Sequence, residues 1–194
     1  MQAPKLVILG RDGILNRFRE DHVKEPAEWE PIPGALEAVA RLNHAGWHVV
    51  VATNQAGIGR GMIDMAAVNA VHLQMMKMLA AKGGRLDAVF FCPHTREENC
   101  DCRKPLPGMM LDIAERYGTS LAQVPMVADT LRDLQAARAA GCPPHLVRTG
   151  RASLVGDGEL AQWLASVPGT VVHDDLPAFA SYLLHQELAA RFAV

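Results

Sequence analysis

Four short segments of the sequence carry residue types that can hold a phosphoryl group beside a divalent cation. In chain order these are Gly10-Arg11-Asp12-Gly13, Thr53-Asn54-Gln55, Arg103-Lys104-Pro105 and Asp129-Thr130-Leu131-Arg132-Asp133. The Asp129 carboxylate is a hard oxygen ligand of the kind that Mg²⁺ prefers, and Lys104 can place its charge on phosphate oxygens. The Thr53 hydroxyl can donate to another phosphate oxygen, while Asp12 can move a proton onto a leaving alkoxide. Together the four segments predict phosphoryl-transfer chemistry.

Each segment also has an ordinary structural explanation when it is taken alone. Asp12 and Gly13 form a common turn dipeptide. Asp129 and Asp133 could serve as cap and first-turn charges that the helix dipole favours. Lys104 could be a surface charge at the start of a helix. The order of the four segments, and their position at the ends of successive predicted strands, favour one shared site.

Short apolar runs alternate with helix-like segments along the chain. Predicted strands cover residues 6–9, 47–52, 87–91, 125–128, 145–147 and 171–172. Predicted helices cover residues 33–45, 64–83, 107–117, 131–140, 160–165 and 176–188. This alternation predicts a Rossmann-like, doubly wound parallel sheet with helices on both faces. Ligands of such sheets bind at the carboxyl ends of the strands, and Gly10, Asp12, Thr53 and Asp129 are each expected just past such an end.

Length, charge and the N-terminal sequence limit the class of protein. A chain of 194 residues with a formal net charge of −2 suits one domain, with a core at residues 1–150 and a C-terminal extension, residues 151–194, packed on it. The near-neutral charge gives no indication of a nucleic-acid partner or a membrane surface, and no apolar run is long enough to span a bilayer. Because residues 1–9 lack the features of a signal peptide, we expect a cytoplasmic protein.

Three cysteines and one histidine form a cluster that predicts a metal site. The four candidate ligands are Cys92, His94, Cys100 and Cys102. They lie within eleven residues, and such a set suits tetrahedral Zn²⁺ with no open coordination position. We therefore expect a structural zinc loop at residues 92–102 that fixes the orientation of Lys104. The alternative is an accidental grouping of reduced thiols with a surface histidine. The remaining histidines show no metal spacing and are expected on the surface or at helix caps.

The four segments resemble the motifs of the haloacid dehalogenase superfamily. That superfamily runs Asp-x-Asp-Gly, then Ser or Thr, then Lys, then Gly-Asp-x-x-x-Asp. Within it, three stretches of this chain are similar to the D-glycero-D-manno-heptose 1,7-bisphosphate phosphatases, and the histidinol phosphatases share much of them. The stretches are Thr53-Asn54-Gln55-Ala56-Gly57-Ile58-Gly59-Arg60-Gly61, Cys100-Asp101-Cys102-Arg103-Lys104-Pro105 and Leu131-Arg132-Asp133-Leu134-Gln135-Ala136-Ala137. The resemblance covers about residues 6–150.

This resemblance implies a Mg²⁺-dependent phosphomonoesterase with a haloacid dehalogenase-type fold and a zinc loop. The short spacing from Gly13 to Pro33 supports the absence of a large cap domain. The implied substrate is a small sugar phosphate, D-glycero-D-manno-heptose 1,7-bisphosphate, in the synthesis of lipopolysaccharide or capsule precursors. Histidinol phosphate is the alternative substrate. We expect a monomer without a nucleic-acid or membrane partner.

The resemblance also implies a role for each matching residue. Asp12 is the general acid and base, and its backbone carbonyl group contacts Mg²⁺. Thr53 and Lys104 bind the transferring phosphate. Asp129 binds Mg²⁺, and Asp133 supports that site from nearby. Contacts to the sugar or to its second phosphate are implied for Asn54, Gln55, Arg60 and Arg103.

Two positions depart from the family pattern. The family nucleophile, the first Asp of the first motif, is replaced by Gly10, which can neither form an aspartyl phosphate nor supply a metal carboxylate. Ala128 stands where the family has Gly, and its methyl group could crowd the backbone near the cation. Because loss of a covalent nucleophile commonly costs several orders of magnitude in rate, we expect an inactive or impaired enzyme.

Two proteins of other classes are compatible with parts of this pattern. A non-catalytic phosphosugar-binding protein would account for Gly10. A zinc-stabilised interaction module would account for the cysteine cluster, but it would leave Thr53, Lys104 and Asp129 unexplained.

Overall fold

A computed structural model describes residues 4–192 of the chain, and within them a single parallel sheet is flanked by helices. Its strands are β1 (Leu6–Leu9), β2 (His48–Asn54), β3 (Ala88–Cys92), β4 (Met126–Ala128), β5 (Pro144–Val147) and β6 (Val171–His173). The α-helices are α1 (Ala35–His44), α2 (Ala56–Gly59), α3 (Met65–Ala81), α4 (Gly108–Tyr117), α5 (Leu131–Ala140), α6 (Asp157–Ser166) and α7 (Leu176–Phe192). Short 3-10 helices lie at Pro26–Glu28, Leu121–Gln123 and Gly150–Ser153.

The strand order places a ligand crevice beside β1. The order is β3-β2-β1-β4-β5-β6, and all neighbouring strands are parallel. The chain therefore proceeds from β1 to β3 on one side and from β4 to β6 on the other. The carboxyl ends of β1 and β4 lie at the point where this direction changes, which is the usual position of the ligand site in such sheets.

Burial of β1 on both faces explains its continuous apolar sequence. Val7 and Leu9 belong to the core cluster that includes buried residues of α1, α3 and α7. Leu6 and Ile8 belong to the cluster on the other face, with buried residues of α4 and α5. Successive side chains of a strand point to opposite faces, so a strand covered on both sides needs apolar residues throughout.

Residues after position 150 contribute to the same sheet and the same core. The strand β6 pairs with β5, with His145 opposite Val171, and α7 packs against α1. Phe179 of α7 is fully buried in the cluster shared with α1. Within the described residues, no helix combines the length and the apolar character needed to cross a bilayer.

The predicted doubly wound sheet is confirmed, with differences at the ends of elements. Strand β2 continues to Asn54, so Thr53 lies inside the strand rather than after it. Helix α1 begins at Ala35 rather than at residue 33, because Gly34 adopts a left-handed conformation with φ of 78°. The four-residue helix α2 was not predicted, since its sequence Ala-Gly-Ile-Gly is too short to show helical periodicity. Loops with one 3-10 helix connect β1 to α1, so no cap domain is inserted there.

Candidate active site and metal centre

A polar cleft of about 200 Å³ opens at the carboxyl ends of β1, β2 and β4. Side chains from all four predicted segments line it, namely Arg11, Asp12, Thr53, Asn54, Arg103, Lys104, Asp129, Thr130, Arg132 and Asp133. Segments that are distant in the sequence meet here because parallel strands end at one edge of the sheet. The structure therefore brings the four segments together.

Lys104 and Asp133 form a buried ion pair in this cleft. The Lys104 Nζ donates to Asp133 Oδ2 and to the Ala52 carbonyl oxygen, each at 2.9 Å. The two side chains are 3% and 6% exposed. Burial alone would raise the pKa of Asp133, but the charge of Lys104, followed by that of Arg132, holds it below its ordinary value. The two hydrogen bonds of its ammonium group therefore hold Lys104 in place.

Donors surround the Asp12 carboxylate. The Arg11 Nη2 lies 2.9 Å from Asp12 Oδ1 and 3.0 Å from Oδ2. The Asn16 Nδ2 donates to Oδ1 at 2.9 Å, and the Gln55 Nε2 donates to Oδ2 at 3.3 Å. Burial alone would raise the pKa of Asp12, but the Arg11 charge and these hydrogen bonds hold it below its ordinary value. The carboxylate is therefore ionised at neutral pH and oriented toward the cleft.

Asp129 is in the opposite electrostatic situation. Burial, and secondly the charge of Asp133, raise the pKa of Asp129 to about 7. Its Oδ2 accepts a hydrogen bond from the Arg151 backbone N–H at 3.0 Å. In the described part of the chain, no cationic side chain forms an ion pair with it. A divalent cation would favour the ionised form of such a carboxylate, so Asp129 fits the chemistry of a Mg²⁺ ligand.

Two glycines allow the backbone to approach Asp129 closely. A Cβ atom at Gly13 would lie 2.0 Å from Asp129 Oδ2, and one at Gly150 would lie 2.3 Å from the same atom. Both glycines have positive φ, 81° and 54°, a conformation that other residues rarely adopt. The Thr149 hydroxyl donates to the Gly13 carbonyl oxygen at 2.6 Å. This hydrogen bond joins the turn after β1 to the loop after β5.

Gly10 is buried at the end of β1 without a conformational need for glycine. Its φ lies outside the left-handed region, and a Cβ atom there would lie 3.7 Å from Asp133 Oδ2. The same Cβ would lie 2.8 Å from Ile14 Cδ1, the end of a buried side chain, so a larger residue at position 10 requires a shift of Ile14. A side chain at this position would begin next to Asp133.

The second departure from the family pattern lies in the core. Ala128 is fully buried in a cluster with Leu134 and Leu146, and it is not among the residues that line the cleft. Its methyl group is therefore part of the apolar packing between β4, β5 and α5.

Asn54 and Gln55 hold other residues of the cleft in place. The Asn54 Nδ2 donates to the Lys104 carbonyl oxygen, and the Lys104 N–H donates to Asn54 Oδ1, both at 3.1 Å. The Gln55 Nε2 donates to Thr53 Oγ1 at 2.9 Å as well as to Asp12. Gln55 is 2% exposed and does not line the cleft, whereas Asn54 does.

Arginines form the outer wall of the cleft. They are Arg19, Arg60, Arg103, Arg132 and Arg151. The sequence motifs indicate Arg60 and Arg103 only. Burial and then the charge of Arg132 lower the pKa of Arg103, followed by smaller effects that include Arg96 and Arg60, so the basic groups are close together. The position of Arg132 in the fourth segment could have indicated that it lines the cleft. Arg151 follows β5 and belongs to no motif, so the sequence gave no such indication for it.

The predicted metal ligands converge on one point. The four ligand atoms of Cys92, His94, Cys100 and Cys102 all lie within 4.8 Å of one another. The Cys92 Sγ is 3.6 Å from His94 Nδ1 and from Cys100 Sγ, and His94 Nδ1 is 3.3 Å from Cys102 Sγ. Bond lengths of a tetrahedral zinc site place neighbouring ligand atoms roughly 3.5–3.8 Å apart. The cluster could therefore hold a metal ion, and its cysteines are free thiols.

Three histidines contradict the expectation of surface or helix-cap positions. His72 is 7% exposed, His145 is 5% and His173 is 9%. The His145 Nδ1 lies 3.0 Å from His173 Nε2, and the two rings stack between β5, β6 and Phe179 of α7. Burial lowers the pKa of His145 to about 4. Sequence spacing gave no indication of these contacts, because the residues lie on different elements.

Similarity to known proteins agrees with the geometry of the cleft. Residues 101–178 match the family described as "HAD-hyrolase-like", and residues 12–130 match the family described as polynucleotide kinase 3 phosphatase. The D-glycero-beta-D-manno-heptose-1,7-bisphosphate 7-phosphatase of Bordetella bronchiseptica is 52% identical over 94% of this chain and 99% of its own length. The protein of the same name from Pseudomonas aeruginosa is 46% identical over 92% and 97%. The chain belongs to this heptose bisphosphate phosphatase family of the haloacid dehalogenase superfamily.

Solved structures support the same assignment. A crystal structure of the D,D-heptose 1,7-bisphosphate phosphatase from B. bronchiseptica, complexed with magnesium and phosphate, has a TM-score of 0.88 and covers 94% of this chain and 99% of that chain. The corresponding structure from Burkholderia thailandensis is 50% identical, with a TM-score of 0.69 over 93% and 98%. The heptose bisphosphate phosphatase family is thus confirmed in both sequence and fold, and its class is that of phosphoric monoester hydrolases.

Proposed function

We propose that this chain carries the active site of a phosphatase for D-glycero-β-D-manno-heptose 1,7-bisphosphate and that Gly10 leaves this site without its nucleophile. The C7 phosphate is the reacting group in the proposal, as the names of the relatives indicate. The observation that carries it is the convergence of Asp12, Lys104 and Asp129 on one cleft. The expected place of the reaction is in the synthesis of heptose precursors for lipopolysaccharide or capsule.

Lys104 and Thr53 are proposed to bind the transferring phosphate. An ammonium group has three N–H donors, and the hydrogen bonds of Lys104 to Ala52 and Asp133 use two of them. The third is left for a phosphate oxygen. The Thr53 oxygen already accepts a hydrogen bond from Gln55, which leaves its own hydroxyl proton to donate to another phosphate oxygen.

Asp12 is proposed to move protons in both halves of the reaction that an aspartate at position 10 would allow. In the first half, that carboxylate attacks phosphorus, the bond from phosphorus to the sugar oxygen breaks, and Asp12 gives its proton to the leaving oxygen. In the second half, ionised Asp12 takes a proton from the water that attacks the acyl phosphate. The lowered pKa of Asp12 keeps it in the ionised form from which the second half starts. The negative charge of a bound phosphate favours the protonated form that the first half needs.

Asp129 and the backbone carbonyl group of Asp12 are proposed to hold Mg²⁺, with Asp133 supporting the site. Bound Mg²⁺ would stabilise negative charge on the phosphate oxygens. Position 10 offers no carboxylate, and Mg²⁺ sheds its water ligands reluctantly. We therefore expect weak Mg²⁺ binding to the free protein and stronger binding when phosphate supplies further oxygens.

The second phosphate of the substrate is proposed to lie against the arginine wall. Arg60 and Arg103 are the family-implied contacts, and Arg132 and Arg151 stand beside them in the same cleft. Several guanidinium groups on one wall suit a doubly charged phosphate because each can form two parallel hydrogen bonds. Asn54 also faces the cleft and is a candidate contact to the sugar, while Gln55 acts through Thr53 and Asp12.

The cysteine cluster is proposed to hold structural Zn²⁺. Four protein ligands would leave no position for substrate or water. The Arg103 Nη1 donates to the His94 carbonyl oxygen at 3.1 Å, so the zinc loop contacts the arginine wall directly. A loaded loop would therefore fix both Arg103 and the adjacent Lys104.

Restoring the nucleophile tests the proposed function. Gly10→Asp is expected to raise kcat/KM for the heptose 1,7-bisphosphate by at least about a hundredfold, which corresponds to roughly 2.7 kcal/mol of transition-state stabilisation. Gly10→Asn is the matched control, because it has nearly the same volume but cannot act as the nucleophile. Activity of both variants and of the unaltered chain would be measured by phosphate release.

A panel of substrates separates the alternatives. Histidinol phosphate tests the rival substrate, and a 3′-phosphorylated oligonucleotide tests the match to the polynucleotide 3′-phosphatases. If the Gly10→Asp variant hydrolyses either compound more efficiently than the heptose bisphosphate, that compound becomes the assigned substrate. A variant that binds Mg²⁺ and phosphate but releases none from any of these compounds would favour the non-catalytic phosphosugar-binding protein.

A further inference from the structure

Among the described residues, Arg11 has the largest side chain that is fully buried. Its side chain is 1% exposed, yet it carries a guanidinium group directly before the proposed acid and base, Asp12. A buried charge of this kind must be paired and hydrogen-bonded to be tolerated. Its partners therefore determine where the guanidinium lies.

The Arg11 guanidinium contacts two side chains on opposite sides. Its Nε and Nη2 donate to the Asp12 carboxylate, at 3.3 Å from the Nε to Oδ1 and at 2.9 and 3.0 Å from the Nη2 to the two oxygens. Its Nη1 lies 3.2 Å from the His72 Nε2. The planar group thus connects the Asp12 carboxylate to a histidine of α3, sixty-one residues further along the chain.

His72 is placed to accept the hydrogen bond from Arg11. An arginine side chain has donors only, so the His72 Nε2 must present a lone pair and the ring must be neutral. Burial, and secondly the Arg11 charge, lower the pKa of His72 to about 4, which agrees with a neutral ring. The ring also lies near Phe91, with 6.2 Å between the centroids, so packing on β3 holds the ring in place.

We propose that His72 is a positioning residue for the phosphatase reaction, which acts through Arg11 to hold the Asp12 carboxylate in its reactive orientation. The proposal rests on the proposed function of Asp12. Without an acceptor at His72, one Arg11 nitrogen would lose its partner, and the guanidinium could turn away from the carboxylate. A proton donor that is misplaced by a fraction of an ångström slows the chemical step more than it weakens substrate binding.

Two substitutions of His72 separate positioning from packing in the Gly10→Asp background. His72→Gln retains an acceptor near the place of the Nε2, whereas His72→Leu retains apolar volume without an acceptor. We expect His72→Leu to lower kcat by about tenfold or more while KM changes less than about twofold. We expect His72→Gln to keep kcat within about threefold. Val71→Ala, a core truncation in the same helix, is the control for lost stability and is expected to keep kcat.

A second arm needs no enzyme activity and uses the chain with Gly10. Urea unfolding of His72→Leu, Asp12→Asn and the double variant forms a thermodynamic cycle. No hydrogen bond joins His72 to Asp12 among the described residues, and burial and the Arg11 charge lower the pKa of His72 to about 4. At pH 7 the ring is therefore neutral and has no charge interaction with Asp12, so coupling measured at that pH passes through Arg11. We expect the double variant to differ from additivity by at least about fivefold in the unfolding equilibrium constant, which exceeds the deviation that independent sites show.

The two arms keep failure of this proposal apart from failure of the proposed function. If Gly10→Asp is inactive on every substrate, the proposed function fails, and the cycle alone decides whether Arg11 connects His72 to Asp12. Additive effects in the cycle would overturn the proposal. Equal losses of kcat in His72→Leu and His72→Gln, or the same loss in Val71→Ala, would overturn it as well.

Discussion

The metal cluster and the phosphate cleft lie side by side, but they are built in different ways. The four metal-ligand candidates come from eleven residues, 92–102, and their ligand atoms converge within 4.8 Å. The cleft is assembled from segments between residues 10 and 133 that meet only at the edge of the sheet. One site depends on a local loop, whereas the other depends on the strand order.

The difference explains how each site responds to a missing side chain. Removal of one of the four candidate zinc ligands would open the coordination shell, because a structural zinc site needs all four ligands to be closed. The resemblance implies that Gly10 replaces the family nucleophile, and in the structure with this glycine the Lys104–Asp133 and Arg11–Asp12 pairs orient the groups of the cleft. An assembled site can thus keep its shape without one catalytic part.

The largest expected effect is the loss of the metal. Cys102→Ser is expected to lower the free energy of unfolding by about 4 kcal/mol or more, because structural zinc contributes folding energy directly, with roughly 10 kcal/mol of binding free energy in small peptides. Urea unfolding would measure the loss, and elemental analysis should find one zinc per chain in the unaltered protein. Cys142→Ala is the control, since that buried thiol lies outside the cluster. Less than about a tenth of an equivalent of zinc would contradict a structural site.

The second effect concerns the ion pair in the cleft. Lys104→Met is expected to cost about 3 kcal/mol of stability, because it leaves the buried Asp133 charge with only the longer, partly exposed contact to Arg132 at 3.5 Å. Lys77→Met removes the same charge from an exposed position of α3 and should change stability by no more than about 0.5 kcal/mol. Chemical denaturation would measure the free energy of unfolding of both variants. Equal losses of stability would show that the buried pair of Lys104 and Asp133 contributes no more than an exposed lysine.

The third effect distinguishes Asp129 from the carboxylates around it. Its pKa is raised to about 7, so between about pH 4 and pH 7 the folded protein binds a proton that the unfolded chain has released. Asp129 by itself therefore lowers the stability of the Mg²⁺-free protein as the pH rises through this window, whereas buried His72 and His145, whose pKa values are lowered to about 4, act in the opposite direction. Asp129→Asn should remove the Asp129 contribution and stabilise the metal-free protein at pH 8 by about 2 kcal/mol relative to the unaltered chain. This figure is smaller than the full roughly 1.4 kcal/mol for each pKa unit.

Urea unfolding at pH 5 and pH 8, in buffer that leaves the zinc loop loaded, measures this dependence. Added Mg²⁺ with phosphate should make the unaltered chain more stable than the Asp129→Asn variant at pH 8. The reason is that the substitution removes the carboxylate that binds the ion. A pH dependence that Asp129→Asn leaves unchanged would assign the titration to another group.

The smallest effect tests the contact between two loops of the cleft. Thr149→Val removes the hydrogen bond to the Gly13 carbonyl oxygen and should cost about 1 kcal/mol of stability. Thr170→Val removes a similar bond to the Val167 carbonyl oxygen, far along the chain from the cleft segments, and should cost about the same. Calorimetric titration should show weaker phosphate binding for Thr149→Val only. Weakening by both variants would mean that the loss is a general effect of lower stability.

The amino-acid sequence was sufficient for the features that depend on spacing along the chain. Strand-like apolar runs that alternate with helix-like segments predicted the doubly wound sheet, because the periodicities of strands and helices are local properties of the sequence. The cysteine cluster could be identified for the same reason, since all its members lie in one loop. The order of the four phosphate segments predicted a shared edge of the sheet. Counting back from Asp12 in the family motif predicts that Gly10 replaces the nucleophile, and this stays a prediction.

Only the tertiary structure decided which groups touch and how they ionise. Asp12 and Asp129 are both carboxylates at strand ends, yet their pKa values move in opposite directions. The cause is their three-dimensional surroundings: Asp12 faces the Arg11 guanidinium, whereas Asp129 is buried near Asp133. The contact between His72 and Arg11 likewise joins two elements that are sixty-one residues apart, and no sequence pattern connects them. Burial and electrostatic partners depend on which strands become neighbours, and that information is not contained in the spacing of any single segment.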